Sequence, residues 1–121
     1  MISVDNDPDF AAYATGVFAD DRRATIVCAD GADWIATYDG PKFDLIFADT
    51  WPGKYNHLEE TLQLLPVGGM YVIDDMLPQE NWPVGHAEKA SALRQYLNNR
   101  PDLHVCPMDW STRVVIAVRI S

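Results

Sequence analysis

The chain has 121 residues, 48% of them hydrophobic, and its 18 acidic against 9 basic side chains give a net charge of −9 at pH 7. This length predicts a single domain over residues 1–121, because domains usually contain about 100–150 residues. The negative charge would repel phosphate backbones and anionic lipids, so we expect neither nucleic acid nor a membrane as a partner.

Cysteine usage and the length of the apolar runs indicate the compartment. Cys28 and Cys106 each lie in an apolar run, where a buried thiol in a reducing compartment is the ordinary interpretation. No apolar run approaches the ~18 residues of a membrane-spanning helix, and no basic region followed by an apolar stretch opens the chain. We therefore expect a cytoplasmic protein.

Six short apolar runs, separated by stretches of helical period, each predict a β-strand. Strands that alternate with helices are typical of βαβ units, while the last two runs are close enough to predict an antiparallel hairpin around residues 108–113. The predicted class is α/β: a Rossmann-like, doubly wound, mainly parallel sheet with a C-terminal antiparallel hairpin. The predicted strands are Ile2–Val4, Thr25–Cys28, Phe43–Ala48, Met70–Ile73, Leu103–Cys106 and Val114–Ile120.

Four helices are predicted between these strands. The first follows Asp7 and Pro8, which suit an N-cap and a first helical position, and a short second helix covers residues 32–37. The third begins with a capping-box-like sequence at Asn56, and the fourth covers residues 86–98. The side chains expected to face the core are Phe10, Ala14, Phe18, Leu58, Leu62, Leu65, Ala90, Leu93 and Leu97. The third strand, apolar at nearly every position, is expected to be covered on both faces.

Carboxylates follow four successive predicted strands. In an open parallel sheet, ligands bind at the carboxyl ends of the strands, and acidic groups gathered there favour a cation or a hydroxyl-rich ligand. Helix N-capping is an equally good interpretation of Asp30, as it is of Asp7. The strand-end residues are Asp5, Asp30, Asp49, Asp74 and Asp75.

Two kinds of ligand suit these carboxylates. Asp5 suits a ribose, because one carboxylate accepts hydrogen bonds from both ribose hydroxyls. Asp49, Asp74 and Asp75 offer three hard oxygen ligands, which Mg²⁺ or Ca²⁺ prefers. In the structural alternative, Asp75 caps the following turn and Asp49 orders the loop WPGKY.

Residues 43–77 carry the most specific pattern, FDLIFADTWPGKYNHLEETLQLLPVGGMYVIDDML. A strand ending in Asp, an aromatic loop, a helix ending in LLPVGG and a strand ending in Asp-Asp resemble the class I S-adenosylmethionine-dependent methyltransferases, within them the catechol-type O-methyltransferases. Residues 1–34 resemble this family more loosely, through ISVDNDP and VCADGADWI. The resemblance implies methyl transfer from S-adenosylmethionine to a hydroxyl of a small molecule, with assistance from Mg²⁺ or another divalent cation.

The resemblance also implies site residues. Asp5 would hold the cofactor ribose, Asp30, Gly31 and Trp34 would border the adenine, and Asp49 would contact both cofactor and metal. The implied metal ligands are Asp49, Asp74 and Asp75, which would bring a substrate hydroxyl beside the methyl group. The expected walls of an aromatic-substrate pocket are Trp51, Trp82 and Pro83, with simple packing as the alternative.

Two departures from the family pattern affect the chemistry. The family's general-base lysine lies three residues after the first metal Asp, where this chain has Pro52. Lys54 is the substitute base, with a solvated surface lysine as the alternative, and Asp49 and His86 are the other catalytic candidates. Acidification of the hydroxyl by the metal alone, or no deprotonation at all, are the remaining alternatives. The second departure is the missing first strand and glycine-rich turn, because none of the seven glycines forms GxGxG after a strand.

The second departure predicts an N-terminally incomplete domain that binds cofactor weakly on its own. It leaves unpaired edges on the strands near Ile2 and Phe43. A second hypothesis is therefore a catalytically inert methyltransferase-like protein that dimerises or binds a partner through these edges. A Mg²⁺-dependent phosphotransferase fits less well, because its acidic pair would follow the first strand and a lysine the last.

Overall fold

The computed structural model describes all 121 residues, and they separate into two compact units: an N-terminal unit, residues 1–39, and a C-terminal unit, residues 40–121. No helix is both long and apolar enough to span a membrane. The assignment of one domain to the chain stays a prediction. The elements in chain order are β1 Ile2–Asp5, α1 Pro8–Val17, β2 Thr25–Cys28, α2 Gly31–Thr37, β3 Leu45–Ala48, α3 Leu58–Gln63, β4 Met70–Ile73, α4 His86–Asn98, β5 Leu103–Met108 and β6 Val114–Arg119.

The N-terminal unit is a βαβ motif followed by a short helix. β1 pairs in parallel with β2, and Ile2 lies opposite Thr25. Asp7 caps α1 by accepting hydrogen bonds from the backbone N–H groups of Asp9 and Phe10. This confirms the predicted start of the helix, because a side-chain carboxylate satisfies N–H groups that have no partner inside the helix.

The predicted buried face of α1 is wrong for its two aromatic residues. Ala11 is its buried side chain, whereas Phe10 is 67% exposed and Phe18 is also exposed. Successive helical residues lie about 100° apart, so a face centred on Ala11 and the half-buried Ala14 turns Phe10 outward. Small side chains on this face allow α1 to pack closely on β1 and β2.

The C-terminal unit contains a four-stranded mixed sheet in the order β3-β4-β6-β5. β3 and β4 are parallel, and β6 is antiparallel to both of its neighbours. The α/β class and the C-terminal hairpin are therefore confirmed, with Met108 opposite Val114 at the hairpin end. β3 begins at Leu45, two residues later than predicted, because the Phe43 N–H bonds to the carbonyl of Leu64.

The core of the C-terminal unit lies between this sheet and α3 and α4. The predicted inward positions Ala90, Leu93 and Leu97 of α4 are buried. In α3, Leu62 is buried and Leu58 is partly buried against the core. The predicted capping box is wrong, because the N-cap residue is His57 in the left-handed region, with no side-chain cap. The buried apolar side chains here are Ala48, Leu62, Leu65, Tyr71, Ile73, Met76, Ala90, Leu93, Leu97, Leu103, Val115 and Ala117.

β3 is covered on one face only, which corrects the prediction of a strand buried on both. Ala48 is buried and Ile46 packs against the core, while Leu45 and Phe47 are 56% and 57% exposed. Side chains alternate between the faces of a strand, so Leu45 and Phe47 share the open face. β3 pairs with β4 alone, so its other edge carries no strand.

Both cysteines are exposed free thiols, which corrects the prediction that they are buried. In β5 the inward positions are Leu103 and Val105, so alternation turns Cys106 outward. Cys28 is the last residue of β2, beyond the half-buried pair Ile26 and Val27.

Candidate functional site

The carboxyl ends of β1 and β2 bring Asp5 and Asp30 to the same end of the N-terminal unit. Asp5 lies opposite Cys28 in the parallel register, and Asp30 follows Cys28 by two residues. The carbonyl of Asp5 accepts a hydrogen bond from Ala29, and its carboxylate accepts one from the Asp7 N–H at 2.8 Å. Asp5 is exposed, so its remaining lone pairs face solvent.

Asp30 caps the N-terminus of α2, which was the structural interpretation of this residue. Its Oδ1 accepts hydrogen bonds from the backbone N–H groups of Ala32 and Asp33 at 2.8 and 3.1 Å, so it is the N-cap of α2. Gly31 is the first residue of that helix, and Trp34 lies one turn later. The Trp34 ring stacks at an angle on Tyr38, with 4.7 Å between the ring centroids.

In the C-terminal unit, Asp49, Asp74 and Asp75 form what we call the acidic rim. Asp49 follows β3 and Asp74 follows β4, and these parallel strands end in register at Ala48 and Ile73. The Asp74 N–H also donates a hydrogen bond to the Ala48 carbonyl at 3.2 Å, and this bond extends the pairing of β3 with β4 as far as Asp74. The sequence prediction that these side chains share one edge of the sheet follows from this register.

Hydrogen bonds within the chain occupy part of the acidic rim. Asp74 Oδ1 accepts from the Asp75 N–H at 2.7 Å and from the Thr112 hydroxyl at 3.0 Å. Asp75 Oδ1 accepts from Gln79 Nε2 at 3.1 Å, and the backbone of Asp75 is left-handed, with φ of 56°. Sequence reasoning did not identify Thr112 or Gln79, because hairpin and loop geometry bring them to the rim and no motif marks them.

A fit to a divalent ion requires several oxygen atoms that converge at about 2.0–2.6 Å from one point. No three side chains of the His, Cys, Asp and Glu types are grouped so that they could hold a metal ion. The hydrogen bonds to Asp74 and Asp75 direct one oxygen of each toward protein donors. As the wild-type chain arranges them, the three carboxylates of the acidic rim do not form a divalent-ion site, and we derive no chemical step through one.

Lys54 lies beside the acidic rim and is buried, at 3% exposure, which overturns its interpretation as a solvated surface lysine. Its Nζ donates a hydrogen bond to the Asp74 carbonyl at 2.7 Å. Burial lowers the pKa of the Lys54 ammonium below its usual range, while Asp75, Asp49 and Asp74 act to raise it.

The loop that carries Lys54 is ordered by its own backbone. The N–H groups of Lys54 and Tyr55 bond to the Trp51 carbonyl, and the Gly53 N–H bonds to the Asn56 carbonyl. Gly53 takes a φ of 85°, which glycine adopts without the cost of a Cβ. The hydroxyl of the buried Tyr71 donates a hydrogen bond to the Gly53 carbonyl of this loop.

An aromatic cluster formed by Trp51, Tyr55, Trp82 and His86 adjoins this loop. The His86 ring lies 4.3 Å from the Trp82 ring and 5.6 Å from the Trp51 ring, between centroids. Tyr55 Oη and His86 Nε2 are 3.4 Å apart. Burial, and then the charge of Asp75, raise the pKa of the Tyr55 hydroxyl above its usual value.

A cleft of about 510 Å³ opens between the Lys54 loop and α4. Of the predicted pocket walls, Trp51 lines it, whereas Trp82 packs against the core and Pro83 is exposed. The Lys89 ammonium lies over the Trp51 ring, 4.3 Å from its centroid. The lining residues are Trp51, Lys54, Tyr55, Asn56, Leu58, Lys89, Ala92, Leu93 and Tyr96.

Comparison with solved structures shows what fold this arrangement belongs to. A protein from Corynebacterium glutamicum superposes with a TM-score of 0.84 and 14% identity, over 99% of this chain and 60% of that one. The O-methyltransferase TomG from Streptomyces achromogenes, solved with SAM, gives 0.83 and 17%, over 99% and 61%. An SAH-bound methyltransferase from Podospora anserina gives 0.79 and 17%, over 99% and 60%.

The chain therefore has the class I methyltransferase fold, as its sequence pattern predicted. It spans about 60% of the length of these structures. No family model and no curated protein matches the sequence.

Proposed function

We propose that the protein takes part in methyl transfer from S-adenosylmethionine to a hydroxyl of a small molecule. The observation that carries the proposal is the superposition of 99% of the chain on an O-methyltransferase solved with SAM, at a TM-score of 0.83. The strand-end carboxylates support it, because this fold class binds its ligands at the carboxyl ends of its strands.

On the cofactor side, Asp5 is the proposed ribose ligand. Its exposed carboxylate accepts one hydrogen bond from the Asp7 N–H, and its other lone pairs can accept hydrogen bonds from two vicinal hydroxyls. Asp30, Gly31 and Trp34 are proposed to border the adenine, with Asp30 acting mainly by fixing the first turn of α2. Asp49 is proposed to reach the cofactor from the end of β3.

On the substrate side, the cleft between the Lys54 loop and α4 is proposed to receive the methyl acceptor. Trp51 supplies an aromatic wall there. Trp82 and Pro83 are proposed to contribute from the adjoining loop, outside the residues that line the cleft itself. The candidates that would hold or accept the hydroxyl proton are Asp49, Lys54 and His86.

The proposal is tested by calorimetric titration of the 121-residue chain with S-adenosylhomocysteine. We expect weak, saturable binding that Asp5→Ala reduces by about tenfold or more, since hydrogen bonds to a charged group contribute about 1.5–3 kcal/mol. Asp20→Ala, which removes an exposed carboxylate from the same unit, is the matched control and leaves binding unchanged. Absence of binding, or equal effects of the two substitutions, would contradict the assignment of Asp5.

The exposed face and edge of β3 favour a second candidate function, an inert protein that works by association. Leu45 and Phe47 present apolar side chains beside unpaired backbone groups, the combination that added strands recognise. Sedimentation over a range of concentrations distinguishes this candidate. Self-association that Phe47→Lys abolishes would support it, and a monomer at every concentration would count against a homodimer.

A further inference from the structure

The acidic rim places three carboxylates at one edge of the sheet and yet forms no metal-binding group. Such a cluster raises its own energy unless a positive charge lies close by. A cation near Asp49, Asp74 and Asp75 would balance their charge.

Lys54 supplies a positive charge at this edge. Its side chain is 3% exposed, and Nζ donates to the carbonyl of Asp74, the residue whose carboxylate belongs to the rim. Burial of an ammonium is unfavourable unless nearby negative charge and hydrogen bonds compensate for its lost hydration. The hydrogen bond to the Asp74 carbonyl supplies part of this compensation, and the negative charges of Asp75, Asp49 and Asp74 act in the same direction.

The position of Lys54 is fixed by the fold. Backbone hydrogen bonds close the loop from Trp51 to Asn56, and the Tyr71 hydroxyl holds the Gly53 carbonyl one residue before the lysine. The ammonium is therefore held at the rim in the folded chain, and a divalent ion that approached the three carboxylates would meet its positive charge at short range.

We propose that Lys54 is the resident cation of the acidic rim and takes the place of a divalent metal ion there. The rim is then neutralised by a side chain of the same unit, and the site works without Mg²⁺ or Ca²⁺. This inference does not depend on methyl transfer, because it concerns cation binding alone.

The first test is titration with Mn²⁺, followed by the electron paramagnetic resonance signal of the free ion. We expect no binding to the wild type at about 1 mM, the range of weak carboxylate sites. Lys54→Met is expected to bind Mn²⁺ at least about tenfold more tightly, since it removes a unit charge that repels the ion. Lys89→Met, which removes the other ammonium of the cleft, is the control and gains no binding.

The proposal is overturned if the wild type binds Mn²⁺ and Asp49→Asn abolishes that binding, or if folded Lys54→Met gains no affinity. A second measurement covers the case in which Lys54→Met folds poorly. The double variant Lys54→Met/Asp75→Asn is expected to melt at a higher temperature than Lys54→Met, because it lowers the uncompensated negative charge. Equal or lower melting temperatures in the double variant would refute the charge pairing.

Discussion

Tyr71 links the core of the C-terminal unit to the loop that carries Lys54. Its ring is completely buried and its hydroxyl donates to the carbonyl of Gly53, which is also buried. Burial raises the pKa of the Tyr71 hydroxyl well above its usual value, so the group stays protonated and able to donate. The hydrogen bond satisfies the carbonyl of a buried residue.

Removal of this hydroxyl should weaken the C-terminal unit. Tyr71→Phe is expected to lower the free energy of unfolding by about 1–2 kcal/mol, because the Gly53 carbonyl then stays buried without a donor. Urea unfolding measures the change, with Tyr13→Phe as the control, since Tyr13 is 74% exposed. A Tyr71→Phe variant as stable as the wild type would mean that the bond contributes nothing net.

Among the connections between elements, the one from α3 to β4 is closely packed at its two glycines. Gly68 has a φ of 86°, its N–H bonds to the Arg119 carbonyl, and the Gly69 N–H bonds to the Pro66 carbonyl. A Cβ on Gly69 would lie 2.8 Å from Pro66 Cδ and 2.9 Å from the Pro66 carbonyl oxygen. The turn therefore requires glycine at position 69 for lack of space.

Replacement of glycine by alanine should have opposite effects on stability at positions 69 and 16. Gly69→Ala is expected to destabilise the protein by about 1–3 kcal/mol, because backbone atoms must move to admit the methyl group. Gly16→Ala, in α1, meets nothing within 4 Å and should stabilise its helix by about 0.5–1 kcal/mol. Thermal melts of both variants test this, and a loss of stability in each would contradict the helix argument.

Elements whose burial follows a strict period were predictable from the sequence. α4 placed Ala90, Leu93 and Leu97 inward as its spacing indicates. The start of α3 was not predictable, because the backbone at His57 turns left-handed to follow the Lys54 loop and no capping side chain is used. The exposure of one face of β3 was also not predictable, because a fully apolar sequence is compatible with a strand packed on one face or on both.

The candidate site was predictable to the extent that strand ends define it. Asp49 and Asp74 come together because β3 and β4 end in register. Lys54 could not be placed, because burial of a lysine depends on loop backbone geometry and on the rim charges around it. Thr112 reaches Asp74 through the hairpin, a contact 38 residues apart in sequence that no local pattern reveals.

For the molecule as a whole, burial is unevenly divided between the two units. The largest fully buried side chains all belong to the C-terminal unit, whereas Ala11 is the buried hydrophobic residue of the N-terminal unit. Apolar area removed from water is the main favourable term in folding, so we expect the N-terminal unit to have the lower local stability.

Hydrogen exchange should show this difference. Backbone amides of β1 and β2 are expected to exchange at least about tenfold faster than those of β4 and β6, since fewer buried contacts oppose local opening. Mass spectrometry of peptides from each strand measures the rates under native conditions. Equal protection of β1 and β4 would show that the N-terminal unit opens only when the whole chain unfolds.

The sheet order also bears on synthesis by the ribosome. β6 lies between β4 and β5 and is the last of the four strands to be synthesised. Residues of β4 such as Val72, which pairs with Ile116, therefore have no antiparallel partner until β6 has been made. A nascent chain that ends before residue 114 therefore leaves open the edges of β4 and β5 that β6 later covers. Because β6 is one of the two inner strands, its late synthesis lengthens the time during which these edges are open to premature strand pairing.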